Sequence, residues 1–78
     1  VAKDLAPIVG GNIKLARAGK ELTQRQLASK VNGVDALAVS RWERGVSMPR
    51  PENLMALAEA LDREVAWFYS EPSEAVTR

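Results

Sequence analysis

The stretch DALAVSRWERG, Asp35 to Gly45, puts two kinds of side chain on one short helix. At about 3.6 residues per turn, Val39 and Trp42 share one face, while Ala36, Leu37, Ser40, Arg41 and Arg44 share another. The first face has the composition of core. The second starts with small and apolar side chains and ends in two guanidinium groups, planar forks of donors suited to phosphate and other paired acceptors. That is chemistry of recognition. Chemistry of turnover has little to work with, because the chain has no histidine and no cysteine. An imidazole base, a thiolate nucleophile and an ordinary zinc site are all excluded, and no P-loop or dinucleotide fingerprint is present. The carboxylates have capping or surface explanations, so the expectation is no enzyme, no metal and no cofactor.

The distribution of charge points the same way. The chain has 78 residues and a net charge of only +1. Residues 12–50, however, carry Lys14, Arg17, Lys20, Arg25, Lys30, Arg41, Arg44 and Arg50 against Glu21, Asp35 and Glu43, a balance of +5. Residues 51–78 come to −4. One half suits an anionic partner and the other does not. A chain this short buries roughly 60% of the surface it exposes when unfolded. With no disulfide to help, it depends on helix packing, aided by dimerisation. Its apolar runs fall far short of the roughly 20 residues that span a bilayer. No charged-then-apolar leader precedes a small-residue cleavage site, so a cytoplasmic location is expected.

Proline, glycine and capping residues divide the chain into five short helical segments, and no run alternates as a strand. The first lies within Pro7 to Gly19, with Ile13 and Ala16 facing inward; Gly10 and Gly11 weaken its start by about 1 kcal/mol each relative to alanine. In LTQRQL, Thr23 caps a second helix and Gln26 completes a capping box, with Leu22 and Leu27 as the staple pair. That helix runs from Gln24 to about Val31 and stops at the turn signal NG, Asn32–Gly33. Asp35 caps the third helix, Val34 and Val39 form its staple, and Gly45 ends it after Arg44. After SMPRP, Pro51 opens a fourth helix whose Leu54, Leu57, Ala58 and Leu61 form an apolar stripe. A fifth, about Glu64 to Tyr69, carries Val65, Trp67 and Phe68, with Phe68 expected in the core. The tail from 71 to 78 reads as flexible or as the start of a linker.

Two short helices joined by a tight turn make a helix-turn-helix. With the elements LTQRQLASKV, VSRWERG and ENLMALAEAL in register, the chain resembles the phage repressor and Cro-type helix-turn-helix family over roughly Gly10 to Tyr69. The resemblance implies an all-α, compact five-helix bundle occupying residues 1–70, with the motif at about 23–44. It implies a sequence-specific transcriptional regulator, most simply a phage-type repressor, that binds a palindromic operator in double-stranded DNA as a homodimer. The second motif helix would enter the major groove while the first crosses the backbone. Ala36, Leu37, Ala38, Ser40 and Arg41 would then meet base edges, with small apolar groups on thymine methyls and Arg41 bidentate to guanine. Thr23, Gln24, Arg44, Ser47 and Arg50 would contact phosphates, and Lys14 and Arg17 are weaker candidates. Trp67 and Tyr69 are candidates for a dimer patch. An antirepressor or other regulatory protein is a further candidate partner.

Three departures from the family pattern bear on this reading. Asn32 makes the turn one residue longer than in many members, which can shift the reading register by one position. Asn12 stands where members often carry an arginine paired with the glutamate equivalent to Glu43; asparagine cannot make that ion pair, so either Glu43 turns to another partner or Asn12 only hydrogen-bonds. The reading face has one long hydrogen-bonding side chain, which throws specificity onto methyl contacts, water or DNA shape. The alternative functions are a helix-turn-helix module that binds protein, and a regulator of the antitoxin or restriction-controller type.

Overall fold

The computed structural model describes residues 5–71, so residues 1–4 and all of the expected tail beyond Glu71 lie outside the described residues. The elements are α1 (Ala6–Gly19), α2 (Gln24–Ser29), α3 (Ala36–Glu43), α4 (Pro51–Leu61) and a final 3₁₀ helix, Val65–Tyr69. The expected five-helix bundle is therefore corrected to four α-helices and one 3₁₀ turn. Only five residues are available there, and the turn closes through i→i+3 bonds, Trp67 N to Glu64 O and Ser70 N to Trp67 O. No strand occurs among the described residues, and no helix there is long and apolar enough to cross a membrane.

Local chemistry sets the boundaries. Thr23 Oγ1 accepts from Gln26 N at 3.0 Å while Gln26 Oε1 accepts from Thr23 N at 2.8 Å, the full reciprocal capping box. Asp35 Oδ1 accepts from Ala38 N at 3.0 Å and so starts α3. The second helix ends earlier than its apolar pattern suggests. Its last turn tightens, with Lys30 N donating to Leu27 O and Val31 N to Ala28 O, which leaves Val31 buried but outside the helix. Pro51 occupies the first turn of α4, and Asp62 ends it in the left-handed region at φ 59°.

The core draws on every element. Val9, Ile13, Leu27, Val39, Leu57 and Phe68 are each fully buried, as is the expected α4 stripe to within a few percent. As expected, one helix covers Pro7 to Gly19, and α1 runs unbroken through Gly10 and Gly11. Gly10 is where α1 and α3 touch: a Cβ there would collide with the backbone carbonyl oxygen of Trp42. The helix-weakening cost of glycine is thus offset by a close helix–helix approach that positions α3. At the far end of α3, Gly45 adopts φ 75° and its Cα faces the Pro7 backbone, so chain reversal and close packing both require glycine.

Candidate nucleic-acid interface

The two faces of α3 are sharply different in burial. Val39 is 0% and Trp42 5% exposed, whereas Leu37 is 52% exposed. Arg41 is exposed, and among the described residues its side chain has no hydrogen-bond or ion-pair partner. Ala36, Ala38 and Ser40 are half-buried between the two faces. The five expected base-contacting residues therefore lie on the outer side and flanks of one helix, but unequally: Leu37 and Arg41 project freely, while Ala38 also packs against the core.

The expected phosphate set divides further. Arg44 is exposed and its Nε donates to Ser40 Oγ at 3.2 Å, one turn back, which lays the guanidinium along the helix. Ser47 and Arg50 are exposed in the α3–α4 connection, and Arg50 has only a loose 4.0 Å approach to Glu52. Thr23 Oγ1 accepts one hydrogen bond at the cap and keeps its own proton to donate. Gln24 differs from expectation, since its Nε2 donates to Glu43 Oε1 at 3.0 Å. What Gln24 has left for a phosphate is its second amide proton and its first-turn backbone N–H.

Glu43 is the centre of a polar network linking three helices. Arg17 Nε and Nη2 grip its carboxylate at 2.6 and 3.0 Å, and Arg17 Nη1 donates to Leu22 O at 2.7 Å. The side chains are 16% and 3% exposed. The hydrogen bond to Glu43 is the main reason the Arg17 guanidinium is held above its ordinary pKa; burial opposes the rise and the charge of Glu43 adds to it. As expected from the absence of an arginine at position 12, Glu43 takes its partner elsewhere. Arg17 is the arginine that pairs with Glu43, and it is thereby removed from the weaker phosphate candidates; Lys14 stays exposed.

Asn12 has a separate task. It is fully buried, and its Nδ2 donates to the carbonyls of Phe68 at 2.8 Å and Ser70 at 2.7 Å, with Trp67 O at 3.4 Å. Its Oδ1 is buried with no partner among the described residues. Sequence spacing contained both signals: Asn12 lies three residues after Val9 and Arg17 four after Ile13, so both sit on the inward stripe of α1, where a polar group needs a partner. Trp67, half-buried, meets Phe68 edge-on with centroids 5.1 Å apart and carries the Arg63 guanidinium 4.4 Å above its ring. Tyr69 is 40% exposed. Among the described residues no group of three His, Cys, Asp or Glu side chains could hold a metal.

A helix-turn-helix family model matches residues 13–68. The chain is 37% identical over 59 residues to the HTH-type transcriptional regulator DicA of Escherichia coli K12, covering 76% of this chain and 43% of that protein. It is 44% identical over 55 residues to repressor protein C2 of Salmonella phage P22, covering 69% of this chain and 24% of that protein. The chain thus spans less than half the length of the curated relatives it matches. Among solved structures, the P22 c2 repressor in complex with a synthetic operator superposes with a TM-score of 0.75 at 34% identity, over 80% of this chain and 92% of that one. A hypothetical transcription factor from Neisseria superposes at 0.83 with 29% identity, over 94% and 81% of the two chains.

Proposed function

The chain belongs to the helix-turn-helix family, and from that premise we propose that it is the DNA-binding part of a sequence-specific transcriptional regulator of the phage-repressor type. The observation that carries the reading is the outer face of α3. A leucine at 52% exposure beside an unpaired arginine, on a helix anchored by the buried Val39 and Trp42, is a poor way to face water and a good way to enter a major groove. Leu37 offers apolar contact to thymine methyls, and Arg41 offers a bidentate pair of donors to guanine. Ala36, Ala38 and Ser40 permit close approach of the helix. Thr23 and the first turn of α2, with Arg44, Ser47 and Arg50, supply the phosphate contacts that fix register. The solved P22 c2 repressor complex with operator supports this reading at the level of the whole domain.

A homodimer on a two-fold site follows from the family's use of paired half-sites about 34 Å apart. Trp67 and Tyr69 are our candidates for its contact, Tyr69 more directly, because one face of Trp67 is already covered by Arg63. The test is selection from random duplex DNA with the purified chain at moderate salt. Enrichment of a two-fold palindrome is expected. An enriched single half-site would remove the dimer from the proposal. Absence of any enrichment would overturn the reading in favour of a protein-binding module, whose partner binding would be far less salt-dependent than phosphate neutralisation.

A further inference from the structure

The turn between α2 and α3 contains a reactive pair that neither capping nor recognition uses. Asn32 and Gly33 are both exposed, Gly33 adopts φ 82°, and a Cβ built there would have nothing within 4 Å. The turn is closed by Val34 N donating to Val31 O at a long 3.4 Å. Neither the Gly33 N–H nor the Asn32 side chain has a hydrogen-bond partner among the described residues. An asparagine carboxamide followed by an unhindered, unbonded backbone nitrogen is set up for intramolecular attack.

We propose that Asn32–Gly33 is a self-modification site that converts the amide at the entrance to α3 into a carboxylate. The Gly33 backbone nitrogen bonds to Cγ of Asn32, the Cγ–Nδ2 bond breaks, and Nδ2 leaves as ammonia with the former Gly33 amide proton. Water then opens the five-membered imide. Cleavage at Cγ returns a normal backbone with aspartate, and cleavage at the other carbonyl gives an isoaspartyl linkage with one extra backbone carbon. No oxidant or reductant enters, and the net exchange is water in and ammonia out.

The other two asparagines show why the site is local. Asn12 is fully buried, its amide is held by backbone carbonyls, and it precedes β-branched Ile13 within α1. Asn53 lies in α4, where the nitrogen that would attack, Leu54 N, donates to Arg50 O at 2.9 Å. A helical amide nitrogen is bonded and turned away from the preceding side chain. Only at Asn32 are the hydrogen bond and the side-chain bulk both absent.

The consequence rests on the DNA reading above. The product carries a new negative charge, and in the isoaspartyl form a lengthened backbone as well, three residues before the Asp35 cap and close to the end of α3 bearing Ala36 and Leu37. Charge repulsion from phosphate and a displaced helix both weaken binding. The test ages the purified chain in mildly alkaline buffer at body temperature, digests it after Lys and Arg, and follows the peptides by mass. The peptide from Val31 to Arg41 contains Asn32 alone of the three and is expected to pass through loss of ammonia to the mass of the acid. Asn32→Gln should abolish the change. No change in that peptide, or equal change at Asn12 and Asn53, overturns the proposal.

Binding is measured separately on Asn32→Asp, with helicity checked by circular dichroism. A several-fold loss of DNA affinity, larger at low salt, is expected. Wild-type affinity in Asn32→Asp together with undiminished binding by the aged, isoaspartyl-containing chain would overturn the regulatory half. A wild-type chain that binds no DNA would overturn the DNA reading and leave the mass result standing.

Discussion

Helix α1 holds two other parts of the molecule by buried polar clamps, and the two are built on different principles. At its middle, Asn12 gathers the carbonyls at the end of the last 3₁₀ turn with a neutral amide, at 2.7 and 2.8 Å for the two shortest bonds. Near its end, Arg17 grips Glu43 of α3 with charge on both sides, and Gln24 of α2 joins the same carboxylate. The neutral clamp fastens the chain end to the core. The charged one fixes the angle between the three helices that present the proposed DNA surface. A buried ion pair is a weak source of net stability but costly to half-remove, so its retention fits a role in geometry.

The sharpest break in that comparison is Glu43→Ala. It strands a guanidinium that is only 16% exposed and frees Gln24, and we expect a loss of about 3 kcal/mol in unfolding free energy. Urea denaturation measures that loss, and a binding isotherm taken where the variant is still folded should show weakened DNA affinity as well. Asn12→Ala is expected to cost about 2 kcal/mol, from lost hydrogen bonds to three carbonyls partly offset by removal of the unpartnered Oδ1. Its folded fraction should bind DNA with wild-type affinity. If Glu43→Ala cost less than Asn12→Ala, or if both weakened binding equally, the division of labour between the clamps would not hold.

The contrast extends to arginines outside the network. Arg41→Ala should lose about 1–3 kcal/mol of discrimination at one base position per half-site, read from competition among single-base operator variants. Arg50→Ala should instead weaken every sequence alike and lower the salt slope by about 1. Uniform weakening by Arg41→Ala would show that it serves phosphate, as a register shifted by the extra turn residue would produce.

These two clamps also show where sequence reasoning succeeds. Local signals were sufficient for the starts of α2, α3 and α4, because the Thr23 box, the Asp35 cap and Pro51 act within a few residues of the helix they start, whereas the early end of α2 at Ser29 was not legible in its apolar pattern. The stripe of α4 and the inward pair Val39 and Trp42 followed from period alone. What pattern could not supply was pairing across long separations. Arg17 and Glu43 are 26 residues apart, and Asn12 meets carbonyls more than 50 residues away, so choosing which polar residue of α1 meets Glu43 required the crossing geometry of the helices. Gly10 shows the same limit. Its local cost in helix propensity was readable, but its benefit lies at the Trp42 carbonyl. The proposed base-reading set was readable as a face, while its inequality, with Leu37 free and Ala38 partly packed, needed the neighbours.

The smallest expected effect belongs to a third link from α1, and it marks the surface limit of the series. Lys20 Nζ donates to Asp62 Oδ2 at 2.7 Å, across exposed side chains. That hydrogen bond, followed by the charge of Lys20, lowers the Asp62 pKa below its ordinary value of 3.8. A carboxyl with a lower pKa folded than unfolded stabilises the folded state above the unfolded pKa, and the contribution disappears as pH falls through the folded pKa. Lys20→Gln should therefore melt slightly below wild type at neutral pH, with the gap closing under acid and also in high salt, because solvent screens an exposed pair. A gap that widened on acidification would show Lys20 acting through something other than Asp62. Asp62 also holds a left-handed backbone at the end of α4, so Asp62→Asn, which tolerates that conformation, should reproduce the small loss. Asp62→Ala should exceed it, because it adds backbone strain to the lost ion pair.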